Sequence, residues 1–279
     1  MEIEFPGAGE CSLFAFTEGD DASGSSLHRA PVVVLMHGGG PDHRSLVPLA
    51  RELSDTATVI LPDVRGYGRS VCRNPAHHTW SQYADDVISL LDHLGLRSAV
   101  IGGAGLGATI SLRTALAFSD RVAGLILISV EDIEDDAAKR AEIAFMEAFA
   151  ARMRQQGPEA AWSPILPDLA PVIGSMVRDS MATVDRESAV AAAAIGYDRA
   201  FRTIEELVPI DVPTLIIPGT DWRHPAALAT RLAERLQSAQ LAQVGAWSEL
   251  PSAAEFGQAL APAIREFILT HRSEFTSPG

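Results

Sequence analysis

The chain has only two cysteines among its 279 residues, Cys11 and Cys72. Two thiols offer no disulfide framework, and their scarcity fits a reducing compartment. Lysine is rarer: Lys139 stands alone in a charged helical stretch, which discounts Schiff-base chemistry. Basic residues are outnumbered, 22 Lys and Arg against 36 Asp and Glu, a net charge of −14 that repels a polyanion over most of the surface. Nucleic acid is therefore not an expected partner. No run approaches the roughly 18 apolar residues of a membrane span, and MEIEFPGAGE has neither the basic flank nor the apolar core of a leader. A cytoplasmic protein with no membrane partner is expected. What is present in quantity is apolar side chain, 47% of residues, enough to bury the core of one large α/β domain or a domain with an insertion.

The organising stretch is 98–117, SAVIGGAGLGATISLRTALA. It opens β-branched and apolar, breaks on glycines and resumes with helical spacing, so it reads as strand, tight turn, helix. Gly103 and Gly107 stand where a G-x-S-x-G nucleophile elbow has its glycines, with Gly105, which has no side chain, at the position of the lifted serine. The same glycines approach a phosphate-binding fingerprint. Against that reading, the turn lies a third of the way along the chain, and the next strand, 122–130, ends on no clear ribose-binding acid.

Alternating strands and helices run the length of the chain. Residues 2–5 and 12–17 predict an antiparallel pair, and 31–36 (PVVVLM) a buried strand running into His37-Gly38-Gly39-Gly40. Such a glycine run lets backbone N–H groups face a ligand oxygen, as one half of an oxyanion hole. A helix over 46–53, a strand over 56–61 and a loop over 62–70 follow. An amphipathic helix over 80–94 places Asp85, Asp86 and Asp92 on its wet face. Helical segments over 137–155, 167–181 and 188–201 separate the strand at 122–130 from one at 213–218. A helix over 226–236, a last strand over 240–244 and a helix over 253–271 close the chain. The alternation argues a mostly parallel sheet with crossover helices.

Together, MHGGGPDHRS, LPDVRGYGRS, GGAGLGA and PTLIIPGTD, in this order and spacing, resemble the α/β-hydrolase superfamily in its lineage of small-molecule esterases, lactonases and proline iminopeptidase-like enzymes. The resemblance implies an α/β-hydrolase fold, a mostly parallel twisted sheet flanked by helices. It also implies a core domain of residues 1–130 and 212–279 and a helical lid, 131–211, inserted after the sixth strand. Met146, Met153, Met176, Met181, Phe145, Phe149 and Trp162 would then line an adaptable apolar cavity or form the seam between lid helices. In this family the acid that orients the histidine follows the strand at 213–218, a position that Asp221 matches. The histidine belongs in the last loop, which reads GAWSELP over 245–251 and puts Trp247 or Ser248 near that place.

A serine–histidine–acid triad works because histidine takes the serine proton while the acid holds the imidazole. With serine absent at Gly105 and histidine absent from 245–251, acyl-enzyme hydrolysis is disfavoured, and Gly105→Ser alone is expected to restore almost none of it. The amide of Leu106, with Gly38 or Gly39 opposite, still offers an oxyanion hole. Proton transfer beside a carbonyl (an isomerase, cyclase or lyase) or direct attack by water could use it, each with a base. The candidates are Asp221, its carboxyl raised by a dry pocket; His224; and Glu131 or Asp132. The alternative is a non-catalytic small-molecule binding protein that kept the pocket. His37 is read as holding its glycine loop or, less simply, as moving a proton. Residues 131–136 (EDIEDD) suit helix capping better than metal, and His77 and His78 beside Cys72 seldom make a metal site. No metal and no cofactor are expected. His28, His43, His93 and His271 are read as solvated, and Arg65 and Arg69 either face a carboxylate or tie strand ends together.

Overall fold

The computed structural model describes residues 1–7, 11–18, 30–131, 135–221, 223–245 and 247–276. Eight strands form one sheet in the order β1-β2-β4-β3-β5-β6-β7-β8. In chain order they are β1 (Glu2–Pro6), β2 (Ser12–Thr17), β3 (Val32–Met36), β4 (Thr58–Pro62), β5 (Ala99–Ala104), β6 (Val122–Ile128), β7 (Thr214–Ile217) and β8 (Ala239–Leu241). The β1–β2 and β2–β4 pairs are antiparallel and the rest parallel. The apolar run of β3 is buried on both faces, as a central strand between two helical layers requires.

One layer consists of α2 (Trp80–His93), α3 (Leu106–Ala117) and α8 (Ala226–Arg235), whose apolar faces share a core with β3, β5 and β6. The other is made by α1 (Val47–Glu52) and α9 (Ala253–Thr270) on the opposite face of the sheet. α3 is apolar and buried on nearly every side, so its register depends on close packing more than on amphipathicity. Between β6 and β7 the chain forms α4 (Asp136–Gln156), α5 (Pro158–Trp162), α6 (Pro171–Met181) and α7 (Arg186–Ala192). The short α10 (Arg272–Phe275) follows α9. No helix among the described residues is long and apolar enough to cross a membrane.

Several sequence expectations shift. The helix expected over 167–181 starts at Pro171, because Ala170 is extended and proline is best placed at the first helical position. The helix expected over 188–201 begins at Arg186 on an Asp185 cap, ends at Ala192 and tightens into a 3₁₀ turn, Ala193–Tyr197. The last strand is short, Ala239–Leu241. Asp86 is not on a wet face: its carboxylate is buried and takes Nε and Nη2 of the fully buried Arg65 at 2.8 and 2.5 Å. His43 is not simply solvated, since it lies between the rings of Phe14 and Phe16 with Nδ1 2.8 Å from Asp63. His78 is buried between the Tyr83 hydroxyl and the Cys72 carbonyl. Asp135 caps α4, accepting from the amides of Ala137 and Ala138, the role foreseen for the acid run. Asp132 and His28 lie outside the described residues.

Phe149, Met153 and Ala161 pack with Trp162 and Ala189 into a small apolar cluster of their own, while Met176 joins the core on the α9 side of the sheet. Of the side chains foreseen for cavity or seam, Phe149, Met153 and Trp162 therefore pack between helices, while Met146 packs against the core on the α3 side of the sheet. The α4–α7 segment is tied down at several points. Ser180 Oγ donates to the Gly40 carbonyl, the Trp162 ring packs against Gly40, and the Trp80 amide donates to Asp198.

Candidate functional site

In an open α/β sheet a ligand crevice lies at the carboxyl ends of the strands where strand order reverses. Here the chain runs from β3 outward to β4 on one side and then to β5 on the other, so the reversal falls between β3 and β5. Met36 pairs with Gly103 across it. The glycine run after β3 and the turn after β5 therefore emerge side by side.

The turn has the backbone of a nucleophile elbow. Gly105 takes φ +51° and ψ −110°, a combination that strains any residue with a Cβ. Gly103 and Gly107 both abut the Met36 carbonyl, leaving no room for a side chain where α3 backs onto β3. A Cβ built on Gly105, by contrast, meets one neighbouring heavy atom within 4 Å among the described residues, His224 Nε2, at 3.4 Å.

His224 reaches this place from the loop after β7. Gly219 makes the turn possible, since a Cβ there would collide with the His224 carbonyl and Cβ. Asp221 accepts the amides of Arg223 and His224 at 2.9 and 3.0 Å, which folds the loop back on itself. Its two carboxylate oxygens also stand 2.9 and 3.0 Å from His224 Nδ1. An ionised carboxylate only accepts, so Nδ1 carries the proton and Nε2 turns a lone pair toward Gly105. Burial opposes ionisation of Asp221, but the His224 hydrogen bond, the electrostatic attraction between the two side chains and the two amides outweigh it, and the carboxyl is held below its ordinary value. The expected upward shift is thus reversed, because an imidazole partner is present. That partner comes from the acid's own loop, three residues on, rather than from residues 245–251.

The last loop serves differently. Trp247 is buried against Phe256, ring centroids 5.4 Å apart, and its Nε1 donates to the Pro218 carbonyl at 3.0 Å. Ser248 is buried beside it. Where the resemblance calls for a histidine, the chain has an anchor behind the Asp221 loop.

His37 is fully buried, with Nδ1 2.8 Å from the Gly38 carbonyl and Nε2 accepting the Val64 amide at 3.0 Å. Both ring nitrogens are engaged and burial lowers its pKa, so it holds the glycine loop as a neutral ring. Leu106 is the first residue of α3, where the amide has no intrahelical acceptor. Among the described residues, the amides of Gly38, Gly39 and Leu106 carry no protein hydrogen bond.

Two side chains here were not singled out from sequence. Tyr67 packs edge-on against His37, 5.4 Å between centroids, and its hydroxyl lies 4.0 Å from a Cβ built on Gly39. No protein hydrogen bond engages that hydroxyl among the described residues, and burial, reinforced by the Glu131 charge, pushes its pKa up to about 12. Glu131 itself is half-buried past the end of β6. Ser129, at the same strand end, takes φ +56°, the only non-glycine with positive φ among the described residues. In both cases the signal was a tyrosine or serine inside a strand-end loop, which sequence alone does not separate from any other.

Comparison with known proteins bears on the fold and the family. Over 108 residues the chain is 34% identical to a protein of Caulobacter vibrioides provisionally named carbamate hydrolase RutD, a match covering 37% of this chain and 40% of that protein. The chain thus spans about two fifths of the length of that relative. A 2-hydroxy-6-oxo-2,4-heptadienoate hydrolase of Pseudomonas putida is 24% identical over 252 residues, 78% of this chain and 83% of the relative. Among solved structures, the enol-lactonase of Burkholderia xenovorans superposes with a TM-score of 0.74 at 23% identity, covering 97% of this chain and all of that one, which is a likeness of fold. The family model described as alpha/beta hydrolase family matches residues 33–257. With that match spanning well over half of the chain and both loops that meet over Gly105, the chain belongs to the alpha/beta hydrolase family.

Proposed function

We propose that this protein is a hydrolase-fold enzyme that works without a covalent nucleophile on a small, largely apolar carbonyl compound. His224 is the general base and Asp221 its orienting acid. The observation that carries the reading is the lone pair of His224 Nε2, 3.4 Å from the empty Cβ position of Gly105. In an acyl-transfer enzyme a serine hydroxyl fills that volume; here a water molecule or the acidic C–H of a bound ligand takes its place. His224 Nε2 accepts the proton, Asp221 steadies the imidazolium, and the developing oxyanion rests on the amides of Leu106 and of Gly38 or Gly39. The Tyr67 hydroxyl, neutral at ordinary pH, supplies a further donor beside that loop.

The substrate class follows from this chemistry. A hole of neutral donors suits an ester, lactone or enol better than a phosphate, and nothing in it calls for a metal or cofactor. The names carried by the relatives, a carbamate, an oxo-dienoate and an enol-lactone, are all of small carbonyl compounds and support the class. Helices α4–α7, over 131–211, act as the lid of this pocket in the same reading, and residues 1–130 with 212–279 as the core.

The test is a panel of small esters, lactones and enolisable ketones run with the native protein, His224→Ala and Asp221→Asn. Turnover that His224→Ala abolishes and Asp221→Asn cuts by about 10²-fold or more, with ligand affinity retained, is the expected result. Solvent ¹⁸O in the product marks attack by water, and solvent deuterium at carbon marks proton transfer. Ligands that raise the melting temperature without any turnover would establish the binding-protein alternative instead. Undiminished turnover by His224→Ala would remove the base from the reading.

A further inference from the structure

The two cysteines, too few for a disulfide framework, nonetheless meet. Cys11 ends the connection after β1 and Cys72 lies in the loop ahead of α2, 61 residues away, yet their Sγ atoms are 2.9 Å apart. Both are free thiols, Cys72 buried and Cys11 half-buried. Cys11 donates to Cys72, and Nη1 of Arg65 approaches the same sulfur at 3.6 Å, so negative charge is favoured on Cys72. His77 Nδ1 stands 3.9 Å from Cys11 Sγ.

Two sulfurs and an imidazole are also the makings of a soft-metal site, and hydrogen bonding argues against it. Asn74 Oδ1 accepts the Ala76 amide at 3.1 Å, which turns the Asn74 NH₂ toward His77 Nε2 at 3.2 Å. Nε2 is then an acceptor, the ring proton sits on Nδ1, and the nitrogen facing the thiols has no lone pair to give.

We propose that Cys11 and Cys72 form a reversible disulfide, a redox modification site separate from the Gly105 pocket, with a peroxide as its oxidant. Cys72, the sulfur on which negative charge is favoured, attacks the peroxide as thiolate beside half-buried Cys11, giving a sulfenic acid and hydroxide. Cys11 yields its proton to that hydroxide and attacks the Cys72 sulfur, the S–S bond forms and the second hydroxide leaves. Two thiols lose two electrons, and with the two thiol protons one peroxide becomes two waters. Closing the bond needs the sulfurs to approach by roughly 0.9 Å.

The bond would stiffen the seat of α7. The Cys72 amide donates to Ser188 Oγ at 2.8 Å, and that hydroxyl donates back to the Cys72 carbonyl at 3.0 Å. Arg73 pairs with Asp185, the cap of α7, at 2.7 Å. A covalent link there closes a long loop, from the edge hairpin of the sheet to the loop under α7.

The experiment treats the full-length, reduced protein with hydrogen peroxide and reads thiol content, mass, and peptide maps without reductant. Expected are loss of both thiols, loss of two hydrogens, a peptide joining Cys11 to Cys72, and a melting temperature higher by roughly 5 °C or more, all reversed by dithiothreitol. Cys11→Ser shows none of these. Accumulation of sulfinic acid without cross-linking would overturn the proposal. So would stoichiometric binding of added Zn²⁺ by the reduced protein that His77→Ala abolishes, since a metal would then own the thiols.

Discussion

Gly105→Ser probes the site most directly, because it adds the one group whose surroundings are already in place. With the Cβ 3.4 Å from His224 Nε2, a C–O bond of about 1.4 Å tipped roughly 50° from that line sets Oγ about 2.8 Å from the nitrogen, an ordinary hydrogen bond. The cost is strain: a residue with a Cβ at φ +51° loses about 1–3 kcal/mol, partly offset because serine has less freedom than glycine in the unfolded chain. The gain is a complete serine–histidine–aspartate set. Loss of such a serine costs about 10⁶ in turnover in an evolved enzyme. In a site not shaped for acylation we expect a smaller part of that, about 10²–10³-fold, or roughly 3–4 kcal/mol of barrier. This reverses the sequence-based expectation that the single change would do almost nothing, which rested on there being no histidine at hand. The assay is p-nitrophenyl acetate hydrolysis with a burst phase, together with covalent labelling by a fluorophosphonate. Gly105→Ser with His224→Ala, and Gly105→Ala alone, should both stay at background. A folded Gly105→Ser protein that neither labels nor hydrolyses would refute the placement of His224.

Gly219→Ala should push the His224 backbone aside and, in the Gly105→Ser background, abolish the gained hydrolysis while lowering stability by only about 1–3 kcal/mol, read by urea unfolding. Asp86→Ala removes the carboxylate from a fully buried guanidinium and should cost about 3–5 kcal/mol by the same measurement. Burial lowers the His78 pKa to about 4 from an ordinary 6.5, despite its hydrogen bond to Cys72. The unfolded chain therefore binds the proton first as pH falls. Stability held above pH 6.5 should drop by about 3 kcal/mol by pH 4, and His78→Gln should remove much of that slope, leaving the share of buried His37.

The elements that periodicity can report, strands β1 to β7 and the long helices, were legible within a few residues, and so was the strand–turn–helix around Gly105, because glycines spaced around a tight turn have few other uses. Asp221 was legible from its place after a buried strand. The meeting of His224 with Gly105 was not, because it depends on how one loop folds back through Gly219, and no spacing encodes that. Asp86 was misplaced for a related reason. A helical wheel assigns a carboxylate to solvent unless its partner is known, and Arg65 belongs to another loop. Tyr67, Ser129 and the Cys11–Cys72 approach are likewise facts of three-dimensional juxtaposition.

The link between Ser180 and the Gly40 carbonyl has a consequence for entry. The peptide planes of the glycine run are pinned from below by His37 and from above by α6, with the Trp162 ring resting on Gly40. In the function proposed above, with α4–α7 as the roof and these amides as the oxyanion hole, raising the roof to admit a guest releases the upper pin, and the amides regain rotational play just when the chamber is open to water. Under that proposal anion stabilisation and closure come as one event, so a guest too bulky to let the roof reseat would be held yet left unreacted.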